Sequence, residues 1–140
     1  MKIGINRWTF PGHHSLTECF EMAKRAGFDS IEINIAEDGE LTPSSTEQEV
    51  RAIVASAEHA GVELSSLSTG LGWRYPITSP DETVRAKGAE NIRKQLQVAR
   101  WMGVDTVLVV PGIVNGDIAY DDAYRRAQDV LGSLVGDAAG

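Results

Sequence analysis

Ala23-Lys24-Arg25-Ala26-Gly27-Phe28-Asp29-Ser30-Ile31, Ala57-Glu58-His59-Ala60-Gly61-Val62-Glu63-Leu64 and Ala99-Arg100-Trp101-Met102-Gly103-Val104-Asp105-Thr106-Val107 share one form: alanine, three residues, glycine, an apolar residue, an acid. Each reads as the end of a helix running into a strand. The glycine takes the left-handed position past the last helical turn, the next apolar residue packs back on the helix, and the β-branched residues that follow favour extended backbone. The glycines are 34 and then 42 residues apart (27 to 61, 61 to 103), the length of a βα unit with its loop. Gly140, at the end of Asp137-Ala138-Ala139-Gly140, falls 37 residues further on in the same role, so the sequence is expected to stop where a fifth strand would begin.

Helix starts fall between these junctions. Ser15-Leu16-Thr17-Glu18 and Ser45-Thr46-Glu47-Gln48 read as capping boxes, and Ser79-Pro80-Asp81-Glu82 reads as a serine cap with proline at the first helical position. Apolar residues follow at helical spacing: Leu16, Phe20, Ala23; Val50, Ile53, Val54, Ala57, Ala60; Ile92, Leu96, Ala99, Met102. A fourth helix from about Tyr120 shows Tyr120, Tyr124, Ala127, Leu131 and Leu134, with Ala123 and Val130 beside them.

Strands are predicted over 2–7, 29–35, 62–68 and 105–110, each separated from the next by a helix, which implies a parallel sheet with right-handed crossovers. Ile31, Ile33 and Ile35 alternate with Ser30, Glu32 and Asn34, and Ile3 and Ile5 with Gly4 and Asn6. A doubly wound sheet, covered on both faces, would read as continuous apolar runs. One polar face suits a barrel, with helices outside and the site at the upper end. A complete (β/α)₈ barrel takes about 250 residues, so residues 1–140 are expected to be the N-terminal half of a TIM barrel, with about four of its eight βα units. An open half barrel exposes two sheet edges, which points to a homo-oligomer.

At 140 residues and 15.1 kDa, with 42% hydrophobic and 24% charged residues, the chain has the composition of one globular domain. Its net charge of -7 argues against nucleic acid and anionic lipid as partners. The single Cys19 makes no intrachain disulfide, and no segment approaches the roughly 20 apolar residues of a membrane helix, so a cytoplasmic protein with no membrane partner is expected.

Gly27-Phe28-Asp29-Ser30-Ile31-Glu32, the stretch Trp73-Arg74-Tyr75-Pro76 followed by Ser79-Pro80-Asp81 and Arg85, and the third junction ahead of Pro111-Gly112 resemble the sugar phosphate isomerase/epimerase family. The resemblance covers essentially the whole chain but only the first half of the family pattern. It implies a xylose isomerase-like TIM barrel, a small-molecule sugar or sugar phosphate as partner, and metal-assisted proton transfer beside a ketose carbonyl. A divalent metal (Mn, Mg, Co or Zn) on two substrate oxygens would offset charge as the proton leaves, with carboxylates as acid and base. In the family those carboxylates and the histidine ligand come from later strands. No catalytic residue and no metal ligand is therefore carried onto this chain, and residues 1–140 alone are expected to be inactive. An inosose dehydratase-like lyase and a non-catalytic, self-associating half barrel are the alternatives. The apurinic endonuclease barrels share this fold but place histidines at the ends of strands three and four, where this chain has Ser68-Thr69-Gly70 and Val110-Pro111-Gly112.

Seven residues are candidates for contact with substrate. Glu32 is an ionisable group on an interior-facing strand position, which is costly unless paired or used, so it either organises the interior or touches substrate. Asn34 lies one step nearer the C-terminal rim. Asn6 and Trp8 end the first strand, where Trp8 either walls a sugar ring or plugs the barrel. Ser68 ends the third strand with Ser66 and Thr69. Trp73 and Arg74 open the loop behind it, where the guanidinium grips a phosphate or hydroxyl, or pairs with an acid such as Asp81. His13 and His14 in the first loop read as solvated side chains within reach of a polyol, and His59 and Cys19 as structural.

Overall fold

The computed structural model describes residues 1–114 and 118–139. Among them, β1 (Gly4–Asn6), α1 (Leu16–Arg25), β2 (Ser30–Ile35), α2 (Glu47–Ala60), β3 (Glu63–Thr69), the short α3 (Leu71–Arg74), α4 (Glu82–Met102), α5 (Tyr120–Ser133) and α6 (Val135–Ala139) follow in chain order. A 3₁₀ turn, Arg7–Thr9, continues directly from β1. Strands β1, β2 and β3 form one parallel sheet in that order. The expected fifth-strand junction at Gly140 lies outside the described residues.

The glycine junctions behave as the repeat implies. Gly27, Gly61 and Gly103 have φ of 88°, 74° and 76°, and the amides of Phe28, Val62 and Val104 return to the carbonyls of Ala23, Ala57 and Ala99. The acid of the first junction also reaches across strands, where the Asp29 carboxylate accepts from the Ile3 amide at 2.8 Å and fixes the start of β1 beside β2.

Alternation in β2 decides the layers. Ile31, Ile33 and Ile35 are buried against α1, α2 and α4 together with Phe20, Val50, Leu67 and Val98, and burial of each such side chain contributes about 1.5–3 kcal/mol. Leu64 and Leu67, three apart, would face opposite sides of a regular strand. A register shift between Ile31 and Glu32 leaves Ser65 unpaired, and both leucines then pack outward on the helices.

Several expectations are corrected. The cap of α2 is Thr46, not Ser45: Thr46 and Glu49 form the reciprocal box, while the Ser45 hydroxyl accepts from Thr42 N. The cap of α4 is Asp81, not Ser79. Its carboxylate accepts from the Thr83 amide at 2.8 Å and is the better acceptor at a positive helix end, which leaves Pro80 outside the helix. Ser15 caps α1 with Glu18 as expected. Tyr120, Tyr124 and Leu131 do not face the core; they are exposed, and α5 packs through Ala123, Ala127, Val130 and Leu134. The small alanines bring the helix close, and the stacked tyrosine rings, 6.0 Å apart, stay in water.

The expected fourth strand is reduced to a single parallel bridge, Leu67 to Val107. The cause lies on α4. Leu67 N donates to Thr106 O and Leu108 N to Leu67 O. The next ladder bond would bring Leu108 O to Thr69 N, but the buried Gln95 side chain donates to Leu108 O at 3.0 Å and to Leu67 O at 3.1 Å. A glutamine amide thus stands where the ladder would continue.

Two outcomes follow. Gln95→Met keeps the volume but removes the donor, and stability measured by denaturant unfolding should fall by about 1–3 kcal/mol. The Glu18, Glu49 and Asp81 carboxyls are all held below their usual range. Glu18 and Glu49 are held chiefly by the amides of Ser15 and Thr46, and Asp81 by the Thr83 hydroxyl and then its amide. With folded values depressed, their stabilisation is present above the unfolded carboxyl pKa of about 4 and is lost as pH falls through the folded values. A Glu18→Gln/Glu49→Gln variant should therefore show a shallower loss of stability from about pH 5 to pH 3 than the parent protein.

Candidate functional site

The face of the sheet turned away from the helices carries a polar row. Register places Asn6 beside Glu32 beside Ser66, and Asn34 beside Ser68 one step nearer the C-terminal ends. The Asn6 side-chain amide donates to one Glu32 oxygen and the Ser66 hydroxyl to the other, the latter at 2.7 Å. Glu32 therefore ties three strands together. Above it, the Asn34 amide donates to the Ser68 hydroxyl, and Asn34 Oδ1 is buried without a partner.

At the C-terminal ends of β1 and β2 the row meets a cleft of about 680 Å³, lined by Trp8, Phe10, His13, Asn34, Asp38 and Glu40 among others. Trp8 is 55% exposed and forms one side of the cleft. Its Cζ2 lies 4.0 Å from the position a Cβ on Gly70 would take, which carries the wall towards the end of β3. The cleft's floor is pinned from below: Arg7 donates to His14 O and Phe10 O, and Glu40 accepts from Leu16 N at 2.7 Å, capping α1 from the loop after β2. His13 and His14 pack ring to ring at 4.2 Å, with His14 Nδ1 3.5 Å from the Glu18 carboxylate.

The seven candidates thus fall into four groups. Asn6 and Glu32 bond to each other within the sheet, Asn34 bonds to Ser68 at the foot of the cleft, and Trp8 walls it. Trp73 and Arg74 lie on α3, outside that lining. Arg74 pairs with Glu37, whose second oxygen accepts from Tyr75 Oη at 3.0 Å. Asp81 is not its partner, being engaged as the α4 cap. Glu37 and Glu40 were absent from the sequence expectations. The acid-rich run Glu37-Asp38-Gly39-Glu40 directly after β2 was the available signal.

A divalent cation needs several convergent oxygen or nitrogen donors. Among the described residues no three His, Cys, Asp or Glu side chains converge in that way, and both Glu32 oxygens are already taken. The described residues therefore offer no set of donors that fits a divalent metal. Nor is any described helix long and apolar enough to cross a membrane.

A family model described as the xylose isomerase-like TIM barrel matches residues 20–140. The chain belongs to that family. Within this barrel family it is 30% identical over 135 residues to L-ribulose-5-phosphate 3-epimerase UlaE of Escherichia coli, covering 95% of this chain and 48% of the relative. It is 30% identical over 129 residues to the same-named protein of Salmonella paratyphi B, covering 91% and 43%. The chain spans about half the length of the curated relatives it matches. Among solved structures, a D-psicose 3-epimerase studied with D-fructose superposes with a TM-score of 0.78 at 20% identity, over 99% of this chain and 49% of that one. An L-ribulose 3-epimerase superposes at 0.76 and 22%, over 99% and 46%. The family model and these likenesses show the barrel architecture, of which the parallel β1–β2–β3 sheet is a part.

Glu32→Gln turns one of the two accepting oxygens into an NH2 group, which cannot accept from the donor facing it. In this barrel segment it should lower unfolding stability by about 1–3 kcal/mol. In a double-mutant cycle, most of the cost of Glu32→Gln should vanish when Asn6→Ala is already present.

Proposed function

We propose that residues 1–140 form the N-terminal half of a sugar or sugar phosphate isomerase or epimerase that moves a proton beside a ketose carbonyl. The observation that carries this reading is the hydrogen-bonded polar row beneath the cleft, in a chain whose 30% identical relatives are L-ribulose-5-phosphate 3-epimerases. A polyol presents alternating C–H faces and hydroxyls. The exposed Trp8 ring suits the first, and Asn34 and Glu32 suit the second.

In this reading the described residues bind and orient. Glu32, held by Asn6 and Ser66, sets a fixed negative acceptor on the inner face; Asn34 meets substrate hydroxyls, steadied by the fully buried Ser68; Trp8 walls the ring or chain; Trp73 and Arg74 serve the rim. Proton transfer is assigned to carboxylates on βα units beyond these, together with any divalent cation, since the donor set here does not suit one. The single bridge at Val107 and the half-exposed Leu108 support further strands adding at that edge, from the same protein or from a second copy.

The test is solvent exchange. In D₂O, a barrel completed by later βα units should place deuterium at C3 of ribulose 5-phosphate or of a free ketose, followed by NMR. Residues 1–140 alone, with added manganese, should place none. Loss of water from a cyclic polyol without such exchange would overturn the epimerase reading in favour of a lyase.

A further inference from the structure

Asn91 and Gln95 stand one turn apart on α4 and so lie on the same side of the helix. Both are buried, at 7% and 1% exposed. Gln95 spends its amide nitrogen on Leu67 O and Leu108 O. Gln95 Oε1, an acceptor, and Asn91 Nδ2, a donor, are then left buried with no partner among the described residues. A buried polar group left unbonded is costly, and two of opposite character on successive turns call for one explanation. Both residues line a cavity of about 10 Å³, together with Thr69, Gly72, Val109 and Val110. Two glycines draw the neighbouring walls together: a Cβ on Gly72 would lie 2.2 Å from Val110 O, and one on Gly88 2.4 Å from Tyr75 O. The space left is room for about one water molecule and for no larger ligand.

We propose that this cavity is a binding site for a single water, which accepts from Asn91 Nδ2, donates one hydrogen to Gln95 Oε1 and gives the other to the backbone where the ladder of segment 105–110 stops. An apolar cavity of this size stays dry, whereas one bordered by a free donor and a free acceptor holds its water as part of the structure. Water both donates and accepts, so it satisfies the pair in either orientation of the Asn91 amide. The two side chains do not bond to each other, and a bridging water joins groups that are too far apart to do so. The site explains how segment 105–110 is held once it leaves the sheet. Gln95 interrupts the ladder between β3 and the segment after Leu108, and the water carries the polar link from α4 past that break to Val109 and Val110. The upper end of the segment is thus bonded to the helix layer through a shared solvent molecule and not to the neighbouring strand.

The test uses NMR on the parent protein and on Asn91→Leu, which removes the donor and puts an apolar side chain of similar size beside the cavity. In the parent, the side-chain NH2 groups of Asn91 and Gln95 should both show nuclear Overhauser contact with water, of the sign given by a molecule held longer than the protein takes to tumble. Magnetic relaxation dispersion of the water oxygen signal, which counts such molecules, should fall by one in Asn91→Leu. Amide hydrogen exchange at Val109 and Val110 should quicken by about threefold to tenfold in the variant, the loss of one net hydrogen bond, with β1 and β2 unchanged. If Asn91→Leu does not fold, the parent alone decides: absence of bound-water contact at the Asn91 NH2 group overturns the site. A direct Asn91–Gln95 hydrogen bond, or a count of long-lived water unaltered by Asn91→Leu, overturns it equally. Loss of the water with exchange at Val109 and Val110 unchanged overturns the link to the segment.

Discussion

The side-chain alternation of β2 is the constraint on which the rest of the structure depends. Ile31, Ile33 and Ile35 are sealed under α1, α2 and α4, so Glu32 and Asn34 have no choice but the opposite face. A slip of one residue would bury a carboxylate among Phe20, Val50 and Val98 and turn three isoleucines to water, which excludes every neighbouring register. The same burial that stabilises the domain therefore positions its polar row. The bulge at Ser65 lets β3 obey the rule despite the odd spacing of Leu64 and Leu67, and it brings Ser66 rather than Ser65 opposite Glu32.

A glutamate on an inner face carries a desolvation cost, and here that cost is offset locally. Asn6 and Ser66 each supply one donor to a different oxygen, so the charge is shared along a line perpendicular to the strands. This also fixes the side chain's rotamer, which a group used for recognition requires. Asn34 is less fully satisfied. Its amide nitrogen is bonded and its oxygen is not, which leaves one buried acceptor to be satisfied at the foot of the cleft.

What the sequence made legible was whatever is encoded locally. The Gly27, Gly61 and Gly103 junctions carry their own backbone chemistry within a few residues, and the alternation through Ser30–Ile35 states its period directly, so β1 to β3 and their helices were readable. The caps of α2 and α4 were misplaced by one and two residues because Ser45-Thr46 and Ser79-Pro80-Asp81 offer competing acceptors, and the choice between them is made by the loop's own path. The face of α5 was misread because tyrosines count as apolar in a pattern while their hydroxyls favour water, and alanines permit the closest approach. Glu32 was legible as a residue that needs partners on the inner face, since a charge in an apolar strand announces itself. Its partners Asn6 and Ser66 lie 26 and 34 residues away, and Arg74 and Glu37 are 37 apart, so only the register of the sheet brings them together.

The fourth segment shows how a side chain from one layer can decide the hydrogen bonding of another. Backbone at 105–110 has the composition of a strand, and the bridge at Val107 starts one. Gln95 then occupies the position of the next ladder donor and holds the carbonyls of Leu67 and Leu108 together. The two chains are kept parallel but parted, and the residues that follow are released from the sheet. Val110 packs over Gly72, where any Cβ would strike the Val110 carbonyl. The helix that carries Trp73 and Arg74 is thus seated against the end of the fourth segment by the absence of one side chain and the presence of another. The rim's geometry is set by α4, a helix on the outer layer, through a contact that passes between the strands.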